Sequence, residues 1–131
     1  MTRAVIDASV GAALLFRNVG DLAERAVSEY ESLHAPSHFD VECASVLRRL
    51  YLQRDLTAAH LRTATLAMAD LPVERVGPAA LLERIASLAD NATAYDAAYL
   101  ALAEGLDAVL LTSDRRLATV PGVRCPVRVL Q

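Results

Sequence analysis

The sequence contains no tryptophan and no lysine; all 13 of its basic residues are arginine. Aromatic residues make up only 5% of it, so a core must be assembled from alanine, leucine and valine. Without lysine, Walker-type phosphate binding, Schiff-base chemistry and any reaction needing a lysine general base are excluded. Cysteine is scarce too: Cys43 and Cys125 lie far apart and in no CxxC pair, unlike the dense pattern of a secreted disulfide scaffold. The longest apolar run, Ala97 to Ala103, has seven residues, against the roughly 18 that a membrane span needs. Arg3 precedes an apolar stretch as in a signal peptide, but Asp7 interrupts it. The expectation is a cytoplasmic chain without membrane contact. Positive charge is also in deficit, 13 basic against 16 acidic residues for a formal charge of −3, which argues against gripping nucleic acid by bulk electrostatics.

What is present fits one domain over residues 1–131, since 54% apolar and 22% charged residues exclude disorder. Ala4-Val5-Ile6 reads as a buried parallel strand. Helices are expected over Val10 to Phe16 and Asp21 to Leu33, then an extended link at Ala35-Pro36. Ser37-His38-Phe39-Asp40 has capping-box spacing and opens a helix through Leu50; Thr57 opens another that ends near Asp70. Val73 to Val76 reads as a strand, and Pro78 opens a helix over Ala79 to Leu88. A second capping box, Thr93-Ala94-Tyr95-Asp96, leads into an apolar helix that Gly105 is expected to stop. Ala108 to Leu111 and Val127 to Leu130 complete the strands. This alternation predicts an α/β fold with a mainly parallel sheet and helices on both faces.

Four acids stand out. Asp7 and Asp114 each follow a buried strand, at the carboxyl edge where open parallel sheets place their ligand sites. Asp96 stands at the mouth of an almost wholly apolar helix, and Glu42 borders the inward face formed by Cys43, Leu47 and Leu50. Each has an ordinary reading: Asp7, Asp96 and Asp114 as helix caps, Glu42 as a first-turn acid favoured by the helix dipole. Gathered in space, clustered acids without His or Cys ligands suit Mg²⁺ or Mn²⁺ and phosphodiester hydrolysis. His34, His38 and His60 fit no ligand spacing. Of the 16 acids, removing these four leaves 12 against 13 arginines, so the acidity fits one site on a nearly neutral body.

The segments Val5-Ile6-Asp7-Ala8-Ser9-Val10, Glu42-Cys43-Ala44-Ser45-Val46-Leu47-Arg48-Arg49, Thr93 to Ala103 and Leu110-Leu111-Thr112-Ser113-Asp114-Arg115-Arg116-Leu117 resemble the PIN domain, and more narrowly the VapC toxins of VapBC toxin–antitoxin pairs. The resemblance runs the length of the chain. It implies the sheet order 3-2-1-4-5 and a Mg²⁺- or Mn²⁺-dependent endoribonuclease that uses metal-activated water and leaves 5′-phosphate and 3′-hydroxyl ends. Carried over, Asp7 and Asp96 are the principal metal ligands, Glu42 and Asp114 complete the catalytic acids, and Ser9 and Thr112 support them. Arg48, Arg49, Arg115 and Arg116 flank the acids and are candidate RNA-phosphate contacts; Tyr95 and Tyr99 are candidate base-stacking rings, although the helical spacing of Tyr99 favours a core position. The implied partners are RNA, a cognate VapB-type antitoxin and a second copy of the chain, in a homodimer and a toxin–antitoxin hetero-oligomer. Ala13, Leu14, Phe16, Leu50 and Tyr51 could line the antitoxin groove. A phosphate-accepting receiver domain and a haloacid-type phosphotransferase both need a lysine and fall. The rival that remains is a non-catalytic PIN-like module binding metal or RNA through the same acids.

Overall fold

Ala4, Val5 and Ile6 are fully buried, as a strand covered on both faces must be, and they form the centre of the sheet. The computed structural model describes residues 2–16 and 20–131. Its strands are β1 (Arg3–Ile6), β2 (Ser32–Pro36), β3 (Val73–Val76), β4 (Val109–Thr112) and β5 (Val127–Val129). The helices are α1 (Ala8–Leu15), α2 (Gly20–Val27), α3 (Phe39–Leu52), α4 (Ala58–Ala67), α5 (Leu82–Ser87) and α6 (Ala94–Leu106). Short 3₁₀ turns occupy Met68–Asp70, Pro78–Leu81 and Arg115–Thr119. All strand pairs are parallel, in the order β3-β2-β1-β4-β5, as the resemblance implies. Right-handed crossovers then put α1 to α4 on one face and α5 and α6 on the other, and α1 packs on α2 and α3 while α5 packs on α6.

Four local expectations are corrected. The second helix ends at Val27 rather than Leu33, and the stretch read as a link is β2, the neighbour of both β1 and β3. Ser37 does not cap α3: it is exposed, and the N-cap residue His38 makes no side-chain cap bond. The first helix begins at Ala8 instead of Val10, because the Asp7 carboxylate accepts the Val10 N–H. Gly105 does not stop α6, which runs to Leu106 and ends where Asp107 takes the left-handed conformation at φ 52°. The Thr93 and Thr57 caps stand as expected, each accepting the backbone N–H three residues on.

One close approach positions the site. Gly11 on α1 faces α3 so tightly that a Cβ there would stand 2.6 Å from the Phe39 ring and 2.7 Å from Cys43 Sγ. The missing side chain lets α1, which follows Asp7, lie directly against the helix carrying Glu42.

Candidate active site

β1 and β4 are adjacent and pair Ile6 with Leu111, so Asp7 and Thr112 emerge side by side at the carboxyl edge of the sheet. Asp7 is only 7% exposed. Its Oδ1 accepts from Ser9 Oγ at 2.5 Å and from Val10 N at 3.2 Å, and its Oδ2 accepts from the fully buried Thr112 hydroxyl. The same hydroxyls brace the other side of the edge: Thr112 Oγ1 accepts from Asp114 N at 2.9 Å, and Ser9 Oγ from Ser113 N at 3.0 Å. Ser9 and Thr112 thus fasten Asp7 to the loop bearing Asp114. Burial pushes the Asp7 carboxyl above its ordinary range, even against the donors from Ser9, Thr112 and the backbone.

Asp96 occupies the first turn of α6, its backbone N–H satisfied by Thr93 Oγ1 at 3.1 Å. Burial pushes this carboxyl up as well, and the charges of Asp114 and Glu42 add to the rise while Arg116 opposes it. Three acids therefore share one electrostatic field. Glu42 projects from the first turn of α3, where its Oε1 accepts from Tyr99 Oη at 2.7 Å and lies 3.1 Å from His38 Nε2. Burial alone would raise Glu42, but the His38 and Tyr99 contacts outweigh it and hold the carboxyl below its usual value. Asp114 caps the turn after β4 and is gripped by Arg116, with Nη2 2.6 Å from Oδ2, which holds it low despite some burial.

Of the four acids, the two pushed upward, Asp7 and Asp96, have no basic side chain within ion-pair distance among the described residues, while Glu42 lies against His38 and Asp114 against Arg116. Among the described residues, no three His, Cys, Asp or Glu side chains converge closely enough to cage an ion. Mg²⁺ does not need such a cage; it commonly takes one or two carboxylates and keeps several waters. A donor set of carboxylate and hydroxyl oxygens, with Asp7 and Asp96 destabilised as anions, fits a hard divalent cation.

The PIN domain family model matches residues 4–123 of this chain. The chain belongs to the PIN domain family. It is 40% identical over 126 residues to VapC ribonuclease Mb0985 of Mycobacterium bovis, covering 96% of this chain and 97% of that protein, and matches Ribonuclease VapC9 of Mycobacterium tuberculosis to the same extent. Ribonuclease VapC1 of Mycobacterium tuberculosis is 34% identical over 133 residues, covering all of both chains. Among PIN domains it therefore stands with the VapC ribonucleases, which are RNA-cleaving hydrolases. The fold matches that of VapBC2 from Rickettsia felis, solved bound to a DNA fragment from its promoter, with a TM-score of 0.72 at 9% identity over 99% of this chain and 100% of that one. It also matches Mycobacterium tuberculosis VapC20, described as a Sarcin-Ricin loop cleaving toxin, with a TM-score of 0.67 at 16% identity over 92% and 96% of the two chains.

Around the acids of this PIN domain, the arginines divide. Arg48, Arg49 and Arg115 are exposed, Arg115 donating to Gln131. Arg116 does not stand free; its guanidinium lies on both oxygens of Asp114. A groove of about 480 Å³ opens beside Ser9 and Ser113, lined by Ala13, Phe16, Val46, Arg49 and Leu50 among others. Leu14 is not part of its lining, and Tyr51 lines a different cavity at the α3–α4 junction. Tyr99 is 2% exposed and is a core residue, not a base-stacking ring. Tyr95 is 61% exposed and meets His38 edge-on, ring centroids 5.5 Å apart.

His38 and Tyr99 as partners of Glu42 escaped the sequence reading. His38 carried a signal, lying four residues before Glu42 on the same helical face. Tyr99, on a different helix, carried none.

Proposed function

We propose that this PIN domain is a metal-dependent endoribonuclease, the toxin of a type II toxin–antitoxin pair, that cleaves RNA phosphodiesters with water. The observation that carries this reading is the pair Asp7 and Asp96, two carboxylates raised by burial near the carboxyl edge of a parallel sheet, with no ion pair to either among the described residues. The VapC ribonucleases to which the chain is 40% identical support the substrate. Asp7 and Asp96 would hold Mg²⁺ or Mn²⁺, with Glu42 and Asp114 completing the acidic pocket. Such an ion, when bound, lowers the pKa of a water and neutralises a phosphate oxygen.

The chain's own residues supply the rest. Ser9 and Thr112 fix both oxygens of Asp7, so its carboxylate is oriented in advance. Arg48, Arg49 and Arg115 are placed to take RNA phosphates, and Arg116 joins them on leaving Asp114. The VapBC2 neighbour is by its name a VapB–VapC pair, which supports a VapB-type antitoxin as partner here; the apolar groove beside Ser9 would be its seat. A back-to-back homodimer inside a toxin–antitoxin assembly completes the reading.

The test is cleavage of total RNA with Mg²⁺ and with EDTA. Asp7→Ala and Asp96→Ala are expected to lower the Mg²⁺-dependent rate by at least ~100-fold, more than an outer-shell change would, and to abolish toxicity on expression. Products should carry 5′-phosphate ends. Cleavage that persists in EDTA, or in both variants, refutes the proposal.

A further inference from the structure

His38 and Tyr99 reach Glu42 from two helices, and neither contact is explained by the folding of its own helix. His38 holds the N-cap position of α3 yet makes no side-chain cap bond. Its ring instead lies edge-on to Tyr95 and Tyr99, with centroids 5.5 and 5.0 Å away. Its Nε2 is shielded from solvent, makes no hydrogen bond, and has Glu42 Oε1 at 3.1 Å. Tyr99 lies mid-way along α6 in the core, where phenylalanine or leucine would fill the space without a buried hydroxyl to satisfy. That hydroxyl donates to the same Oε1 at 2.7 Å, across 57 residues of sequence. Both contacts fall on one oxygen, and no described residue donates to Oε2.

Resting on the metal-dependent reading above, we propose that His38 and Tyr99 are positioning residues that pin Glu42 through Oε1, leave Oε2 for the divalent cation, and so set how tightly the site holds that cation. Neither touches the reacting atoms; Tyr99 is too deeply buried to meet RNA. A clamp of this kind matters because a free glutamate has three side-chain torsions to fix on binding an ion, whereas a pinned one has already lost most of that freedom. A plain staple between α3 and α6 would support the fold equally well but would leave the affinity of the folded protein for metal unchanged.

The deciding measurement is calorimetric titration of Mn²⁺ into the RNA-free chain. Tyr99→Phe removes one oxygen and keeps the ring; it is expected to weaken Mn²⁺ binding roughly ten- to hundredfold, the range for loss of an outer-shell partner. His38→Leu, on the half-buried rim, is expected to act in the same direction and carries the test should Tyr99→Phe fail to fold. In a Glu42→Gln background, either change should add less than twofold, because both act through Glu42. Wild-type Mn²⁺ affinity in the folded single variants, or losses that multiply with Glu42→Gln, overturns the proposal. Asp96→Asn separates the two levels. If it binds Mn²⁺ like the wild type, the metal site itself is wrong; if it loses binding while Tyr99→Phe does not, only the clamp is wrong.

Discussion

Asp7 serves the fold and the site with one carboxylate, and this makes stability and chemistry conflict at a single residue. Its folded-state pKa, like that of Asp96, is raised above the ordinary 3.8 by burial. The stability such a group contributes is complete below 3.8 and is lost as pH rises through the raised value. Glu42 and Asp114 are shifted downward from 4.5 and 3.8, so their contribution is present above those values and is lost only as pH falls through lower ones. From neutral pH down to 4.5, the four acids thus change stability in one direction, and the metal-free chain gains from them. Asp7→Asn keeps an acceptor for the Val10 N–H and removes the buried charge. In EDTA at pH 7 we expect it to melt above the wild type, because the folded state no longer holds a buried charge. Scanning calorimetry should show that gap narrowing as pH falls, and a widening gap contradicts it. The acids were legible in the sequence because Asp7 and Asp114 each follow a buried strand, Asp96 opens an apolar helix and Glu42 borders an inward helix face. Tyr99 was not, because nothing in an apolar helix tells a satisfied hydroxyl from a stacking ring until the opposing helix is in place.

At the scale of elements, the contact between α1 and α3 sets the spacing of the site. In an exposed helix, Gly→Ala gains about 1 kcal/mol. At Gly11 the sign reverses, because Phe39 and Cys43 are fully buried and have nowhere to move. Gly11→Ala is expected to cost about 1–2 kcal/mol net, read as a lower urea midpoint at unchanged slope. Cys43→Ala in the same chain should restore part of the loss by making room for the new methyl group. Helix starts marked by Thr57 and Thr93 were legible from cap chemistry alone. β2 was hidden because polar Ser32 and His34 alternate with its apolar residues and Pro36 ends it, leaving no apolar run. Ser32 Oγ lies 2.9 Å from His34 Nε2 within the strand, and His34 Nδ1 faces Glu74 of β3 at 3.6 Å, so polar contacts stand where an apolar run marks β1 and β4. The end of α6 was misjudged for a similar reason: Asp107, not Gly105, takes the left-handed position, one that aspartate tolerates.

For the whole molecule, four acids held near the carboxyl edge of one sheet would make a divalent metal a stabilising ligand. Mg²⁺ at a hundred times its dissociation constant should add roughly 2.7 kcal/mol to the unfolding free energy. Melting curves with and without Mg²⁺ should show the shift in the wild type and lose it in Asp96→Asn; an equal shift in both would place the ion elsewhere. The sheet order belongs to this scale too, and the residues alone specified only alternation. The order came from the resemblance, because the partner of a parallel strand is settled by crossovers longer than any local pattern.

That order also determines when the site can exist. β1 is made first, yet its partner β4 and the hydroxyl that fastens Asp7 come 105 residues later. At the ~5–20 residues per second of protein synthesis, roughly 5–20 s separate Asp7 from Thr112. Throughout that interval the growing chain holds the first acid without its brace and without Asp114, and for most of it without Asp96. A ribosome making this chain therefore carries an unassembled site until β4 and the loop after it have been translated.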